Sequence, residues 1–314
     1  MKKPLLILTG PTAAGKTELS VRLAKRIGGE IVSADSMQVY KHMDIGSAKI
    51  RKEEMEGVPH HLIDVLEPSE PFHVVRFQQM ALEAMEGIYE RGHIPIITGG
   101  TGFYIQALLY HIDFEDTCED PVYREKLENL AQREGAERLH ELLKEADPRA
   151  AEEIHSNNIK RMIRALEYHR LTGRRISEHN REQREKQSPY SFAYFVLNRE
   201  RAVLYERINR RVDLMMEEGL LEEVKKLKAM GYDRSYVSMQ GIGYKELLGY
   251  LEGEYSLEEA VERIKLDTRH FAKRQLTWFR RERDVIWLEA DRLTGEQLLE
   301  KTAELWKEKQ SDNR

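Results

Sequence analysis

Apolar and polar positions along this chain fall into alternating blocks. "PLLIL" (4–8) is a continuous apolar run that stops at Thr9-Gly10, the pattern of a strand buried on both faces. Residues 16–27 carry apolar side chains at Leu19, Leu23 and Ile27, a helical spacing. A second strand is predicted over 30–36 and a long helix over 71–92, stopped by Gly92. A third strand over 94–102 runs into a glycine turn, and a helix follows over 102–110. Strand and helix taking turns in this way predict a parallel α/β sheet flanked by helices.

The pattern changes near residue 113. From there to about Gln187 the apolar spacing is helical throughout, acid-rich over 115–153 and base-rich over 158–186. Residues 188–198 read as a strand returning to the sheet. Residues 199–283 are mostly helical, 284–289 form a last strand, and a charged helix closes the chain. The expected organisation is an α/β core over 1–112 and 191–314, interrupted by an all-α insertion over 113–190.

Composition narrows the class. The chain has 314 residues, 40% hydrophobic and 33% charged, with net charge −5. No global field attracts a polyanion, so any such attraction must come from local patches. Cys118 is the only cysteine, which rules out an internal disulfide and a cysteine-based zinc site and fits a reducing compartment. The start "MKKPLLILTG" has too short an apolar run for a signal peptide, and no stretch approaches the roughly 20 apolar residues that span a bilayer. A cytoplasmic protein without membrane contact is expected. The eleven histidines are scattered, and His60-His61 lacks carboxylates or cysteines at ligand spacing, so a structural role is expected.

Chemistry concentrates first in "GPTAAGKT". Gly10, Pro11, Thr12, Ala13, Ala14, Gly15, Lys16 and Thr17 match the P-loop spacing G-x-x-x-x-G-K-T between a strand and a helix. The glycines let successive N–H groups face one anion, and the helix N-terminus adds positive potential. Lys16 supplies a cation over the terminal phosphate, and the Thr17 hydroxyl can ligate Mg²⁺. The sheet is therefore expected to be P-loop NTPase-like. A hydrolase would usually add a hydrophobic strand ending in an acid. The nearest candidate, "HLIDV" (61–65), places Asp64 after only two apolar residues, a weak signal.

The second cluster is "SADSMQVY". Asp35 follows the second strand at the sheet edge where ligands sit in open α/β folds. It is a Mg²⁺ partner, a general base or a loop cap. Ser36 and Gln38 offer donors and acceptors suited to a nucleobase edge.

"GPTAAGKT", "SADSMQVYKHMDIGSAK" and "PIITGGTGFYIQALL" together resemble the tRNA dimethylallyltransferase family. "RMIRALE" (161–167), "QGIGYKEL" (240–247) and "FAKRQLTWFRR" (271–281) extend the resemblance over nearly the whole chain, in the same order. With no cysteines for a C-terminal zinc finger, the chain looks like the bacterial form. The resemblance implies transfer of a dimethylallyl group from dimethylallyl diphosphate to N6 of the adenosine immediately 3′ of the anticodon in a subset of tRNAs. The P-loop would then hold a leaving diphosphate, with Lys16 and Mg²⁺ on Thr17 stabilising it. Thr101, in "GGTG", would assist, and either Arg207 or Arg211 would add charge. Asp35 would take the proton of the adenine amine.

The resemblance also implies tRNA contacts at Asp35, Ser36, Met37, Gln38 and Thr101, and on the insertion at Tyr123, Arg124, Ile159, Lys160, Arg161, Met162, Ile163 and Arg164. "RHFAKRQLTWFRRER" (269–283) interleaves basic residues with Phe271, Trp278 and Phe279, which suits either base stacking or packing. "MQGIGY" (239–244) would line the RNA groove. The expected partners are the tRNA anticodon stem-loop and dimethylallyl diphosphate, bound by a monomer. The rival expectations are a P-loop kinase that converts ATP to ADP, and an RNA-binding module switched by a nucleotide.

Overall fold

A computed structural model of the chain describes residues 2–114 and 120–312. Cys118 and the rest of 115–119 lie outside the described residues. The chain divides into two compact units, Met1–Leu109 with Pro189–Arg314, and Tyr110–Ser188. The sequence pattern puts these junctions at 112/113 and 190/191.

The first unit opens with β1 (Lys3–Thr9), α1 (Lys16–Ile27), β2 (Gly29–Ser33), β3 (His60–His61), α2 (Val74–Glu90), β4 (Ile94–Gly99) and α3 (Gly102–Leu109). The second unit holds α4 (Pro121–Glu134), α5 (Ala136–Ala146), α6 (Pro148–Glu153), α7 (Ile159–Thr172) and α8 (Ile176–Glu185). The first unit resumes with β5 (Tyr190–Asn198), α9 (Arg201–Glu217), α10 (Leu220–Ala229), α11 (Tyr244–Leu251), α12 (Leu257–Phe279), β6 (Val285–Glu289) and α13 (Gly295–Asp312).

Six parallel strands form one sheet in the order β3-β2-β4-β1-β5-β6. Leu5 to Leu8 of β1 are fully buried, as central parallel strands require. Each such side chain contributes about 1.5–3 kcal/mol by leaving water. Register positions the chemistry. Thr9 pairs with Gly99 and Val196, and Ser33 pairs with Thr98. The loops after β1, β2 and β4 therefore leave the sheet at one level, along its carboxyl edge.

Helix boundaries follow local chemistry. α1 starts at left-handed Gly15 and ends at left-handed Gly28, with Lys25 and Arg26 in its last turn. Ser256 and Glu259 close a capping box at the start of α12, the longest helix described.

The sequence pattern missed β3. "HLIDV" does not extend into a strand, because Leu62 (φ 62°) and Asp64 (φ 56°) turn left-handed straight after the two-residue edge strand. Asp64 accepts from Lys49 at 2.5 Å. His61 Nε2 lies 2.7 Å from buried Glu30, which Arg91 and His93 also hold. The Arg91 bond, with help from His61 and His93 and against the cost of burial, draws the Glu30 carboxyl down to about 2. The histidine pair is thus structural, and among the described residues no group of three or more His, Cys, Asp or Glu could hold a metal.

The helical unit packs Leu127, Leu139, Leu143, Met162, Ile163 and Leu166 into its own core. Asp147 caps α6 through Ala150 N–H and ties in α8 through the backbone N–H and hydroxyl of Ser177.

Candidate active site

The P-loop is shaped from both sides. Gly10 takes φ 148°, and a Cβ there would lie 2.5 Å from the Leu197 carbonyl oxygen. Only glycine lets β1 leave the sheet so close to β5. Ala13 and Gly15 are also left-handed, at φ 63° and 103°. On the outer side, Arg207 Nε donates to Ala13 O and Arg199 Nε to Ala14 O, each at 2.9 Å. Asp291 pairs with Arg199. Because a trans peptide points its N–H opposite its carbonyl, holding Ala14 O outward turns the Gly15 N–H the other way. The N–H groups of the first turn of α1 have no helical partner either.

Lys16 Nζ folds over this loop and donates to Gly10 O (3.1 Å) and Pro11 O (2.9 Å). Burial, then the nearby Arg211 charge, pull the Lys16 ammonium down to about 8, with Asp35 opposing them. Burial, then Arg207, also lower the Arg211 guanidinium, which remains a cation near neutrality.

The β2 edge supplies the second group. Asp35 Oδ1 accepts from Met37 N–H (2.8 Å) and Gln38 N–H (3.4 Å), a turn closed by its own side chain. Gln38 is oriented by Ser33, whose hydroxyl donates to Gln38 Oε1 at 3.0 Å. Gln38 Nε2 donates to Ser47 O (3.4 Å) and Ala48 O (3.3 Å). Glu223 fixes that last loop by accepting from Asp44, Ile45 and Gly46 N–H and from the Tyr244 hydroxyl. The third edge brings Thr101, whose N–H donates to Ala34 O at 3.3 Å.

These groups face one cavity of about 550 Å³. Thr12, Lys16, Thr17, Asp35, Ser36, Met37, Gln38, Thr101 and Arg211 line it. Apolar Phe72, Tyr104, Ile208, Val212, Met215 and Phe271 cover further wall. Such a site can bind a compact anion at the loop, hold a flat polar edge at Gln38, and offer a carboxylate between them.

Several sequence expectations change here. Arg207 and Arg211 separate: Arg211 lines the cavity, whereas Arg207 braces the back of the loop. On α12, Phe279 is fully buried, which removes it from base stacking, and half-buried Trp278 packs edge-on against Phe103 at 6.0 Å between ring centroids. Of "MQGIGY", Met239 and Tyr244 are core, and Gln240 to Gly243 line the cavity. On α7, Met162 and Ile163 are buried in the helical unit's core, which removes their side chains from any RNA face. Ile159 packs against the same core. Arg124 is paired with Glu167 at 2.6 Å, and Arg170 stacks over the Tyr123 ring at 4.3 Å. Lys160, Arg161 and Arg164 stay exposed.

Sequence reasoning missed Arg199, Glu223 and Gln275. Gln275 left a signal: it is a polar residue on the buried face of α12 between Ala272 and Phe279. Arg199 and Glu223 look like ordinary surface charges in the sequence.

Fold and site together define a P-loop-like α/β protein in which the glycine loop, Lys16 and Asp35 line one cavity. Comparison with known proteins narrows this. The IPP transferase profile matches residues 38–282, and the isopentenyl transferase profile matches residues 3–66. A tRNA dimethylallyltransferase of Lachnoclostridium phytofermentans is 65% identical over 286 residues, 91% of each chain. One of Acetivibrio thermocellus is 52% identical over 93% of this chain and 94% of its own. Among solved structures, the tRNA isopentenylpyrophosphate transferase of Bacillus halodurans superposes with TM-score 0.74 at 46% identity, covering 100% of this chain and 99% of its own. A eukaryotic dimethylallyltransferase acting on tRNA gives TM-score 0.79 at 32% identity, covering 92% of this chain and 74% of its own. The chain belongs to the tRNA dimethylallyltransferase family.

Proposed function

We propose that this enzyme transfers the dimethylallyl group of dimethylallyl diphosphate to N6 of the adenosine immediately 3′ of the anticodon in a subset of tRNAs, releasing diphosphate. Transfer of a dimethylallyl group to tRNA is the reaction of its family. The observation that carries the finer proposal is the single cavity lined by Lys16, Arg211, Thr101, Asp35 and Gln38.

The allylic C–O bond breaks with its electron pair going to the diphosphate, and the N6 lone pair forms the new C–N bond. Negative charge therefore grows on the leaving group. Lys16 and Arg211 line the cavity beside the loop, and their charge, with the loop N–H groups, would offset it. The amine is a weak nucleophile because its lone pair is delocalised into the ring. Asp35 accepts its proton as the C–N bond forms. Asp35 Oδ1 is already held by two backbone N–H groups, so its geometry is set before substrate arrives. Gln38 and Ser36 hold the adenine edge, and extruding that base from the anticodon loop costs a few kcal/mol.

A Mg²⁺ ion fits the oxygen chemistry of this corner, where Thr17 and Asp35 both line the cavity. Thr17 Oγ1 would hold it, and the ion would supply charge neutralisation on the diphosphate.

Lys160, Arg161 and Arg164 contact tRNA phosphates, and Tyr123 on the same unit contributes a further contact. None of the three cations has an ion-pair partner among the described residues. They sit in the first two turns of α7, where the helix dipole disfavours positive charge. An external polyanion explains that placement. The enzyme acts as a monomer in the cytoplasm, and no described helix is long and apolar enough to cross a membrane.

The deciding experiment incubates the enzyme with unmodified tRNA, Mg²⁺ and dimethylallyl diphosphate, followed by mass spectrometry of digested RNA. One dimethylallyl unit on the adenosine next to the anticodon is expected. No adduct, with ATP instead converted to ADP beside a nucleoside, would make the loop a kinase site.

A further inference from the structure

We infer that Gln275 is a positioning residue that locks the diphosphate loop, the Thr101 turn and the Asp35 turn into one rigid site. This role presupposes the transfer reaction proposed above and names a residue outside the groups that touch its substrates through charge. Gln275 projects from the C-terminal end of α12 and is buried, with 6% exposure. Its Oε1 accepts from Thr12 N–H at 2.9 Å, inside the P-loop. Its Nε2 donates to Gly100 O at 3.0 Å, just after β4. One amide thus spans two loops that leave the paired strands β1 and β4. That lower tie is itself reinforced, with the Thr9 hydroxyl donating to Gly99 O at 2.6 Å.

The next link follows along the chain. Gly100 is bonded to Thr101, whose N–H donates to Ala34 O, and Ala34 is bonded to Asp35. A continuous path therefore runs from the P-loop through Gln275 and Thr101 to the proposed base. The Thr101 turn is also packed closely against the same helix. A Cβ on Gly100 would lie 2.1 Å from Gln275 Nε2, and one on Gly102 would lie 2.2 Å from Trp278 Cδ1. Gln275 and Trp278, three residues apart on one helix face, grip the two glycines that flank Thr101. The glycines allow that approach, and the helix holds the turn.

The side chain must be an amide of this length. It has to accept from an N–H on one side and donate to a carbonyl on the other, and the glutamine carboxamide offers both at this reach. Leucine or methionine fills the space and does neither. Buried loop groups left without their partner then find new ones by moving.

The test is Gln275→Met, which keeps volume and removes both bonds. Three quantities are measured on the folded variant: the single-turnover rate of dimethylallyl transfer to tRNA, the Kd of inorganic pyrophosphate with Mg²⁺ by calorimetry, and the Kd of tRNA. We expect the transfer rate to fall by roughly 100-fold, the loss typical of a misplaced reacting group. Pyrophosphate should weaken by about tenfold, the scale of one lost hydrogen bond to a loop. tRNA affinity should stay within about twofold, because α12 contributes here through loop geometry. A transfer rate within about threefold of wild type would overturn the role. So would a loss confined to tRNA binding, which would place Gln275 in the RNA site. If the methionine variant does not fold, Gln275→Asn keeps a polar group one methylene shorter. It should show the same split with smaller amplitude, and wild-type values in it would also overturn the role. Wild-type enzyme that binds pyrophosphate yet leaves tRNA unmodified would instead sink the proposed reaction, and the pyrophosphate measurement would still judge the clamp.

Discussion

The P-loop and the N-terminal half of α7 both concentrate positive charge, and they hold it in opposite ways. Around the loop the cations are bonded to backbone or buried. Arg199 and Arg207 cap carbonyls, Lys16 donates to two more, and Arg211 is packed into the cavity wall. On α7, Lys160, Arg161 and Arg164 are exposed and unpaired among the described residues, while Met162 and Ile163 between them are core. A compact anion that gains charge during a reaction needs donors that do not move, because reorganisation adds to the barrier. An extended polyanion needs only a field, and solvated cations that release counterions supply it. Burial is the variable that separates the two kinds of site.

The sharpest break in that comparison is Asp35→Ala, which removes the fixed acceptor and leaves the loop intact. The transfer step should fall by about 10²–10⁴, while pyrophosphate binding holds. Normal single-turnover rates would remove Asp35 from the chemistry. Lys16→Ala should lower kcat/KM for dimethylallyl diphosphate by roughly 10²–10³ and leave tRNA binding alone; the reverse pattern would put Lys16 in the RNA site. Met162→Ala should cost the helical unit about 2–5 kcal/mol, read as a fall in the denaturation midpoint, whereas Arg164→Ala should cost at most about 0.5 kcal/mol. Equal losses would contradict the assignment of Met162 to the core.

Neutralising Lys160, Arg161 and Arg164 together should flatten the slope of log affinity against log salt by about 2, at ~0.7 per phosphate contact. An unchanged slope would move the RNA contact elsewhere. The smallest effect is in pH. Lys16 is held at about 8 in the free protein. Its charge is therefore present below that value and lost as pH rises through it, so KM for dimethylallyl diphosphate should climb by a few-fold per unit above about pH 8. A flat KM between pH 7 and pH 9 would show that the bound anion does not depend on that ammonium.

Much of this was legible in the chain. The apolar run at 4–8, the spacing at Leu19, Leu23 and Ile27, and the G-x-x-x-x-G-K-T pattern define β1, α1 and the loop between them, because these are short-range rules of backbone geometry and periodicity. The helical run from 121 to 185 is legible for the same reason. The family followed from motifs strung in order along the sequence.

Other features lay beyond the reach of local pattern. β3 is two residues long, and its existence depends on Ile31 and Val32 offering a free edge. Nothing in "ERINRR" distinguishes Arg207 from Arg211, because one helical turn separates an arginine behind the loop from one inside the cavity. Met162 and Ile163 share a motif with Lys160, Arg161 and Arg164, and only packing against Leu139 and Leu143 divides core from surface. The partnership of Gln275 with Thr12 spans 263 positions. Sequence alone determined which chemical groups this protein carries and the order in which they come. Tertiary structure decided which of them face one another, because burial, register and long-range hydrogen bonds join residues whose separation along the chain carries no local signal.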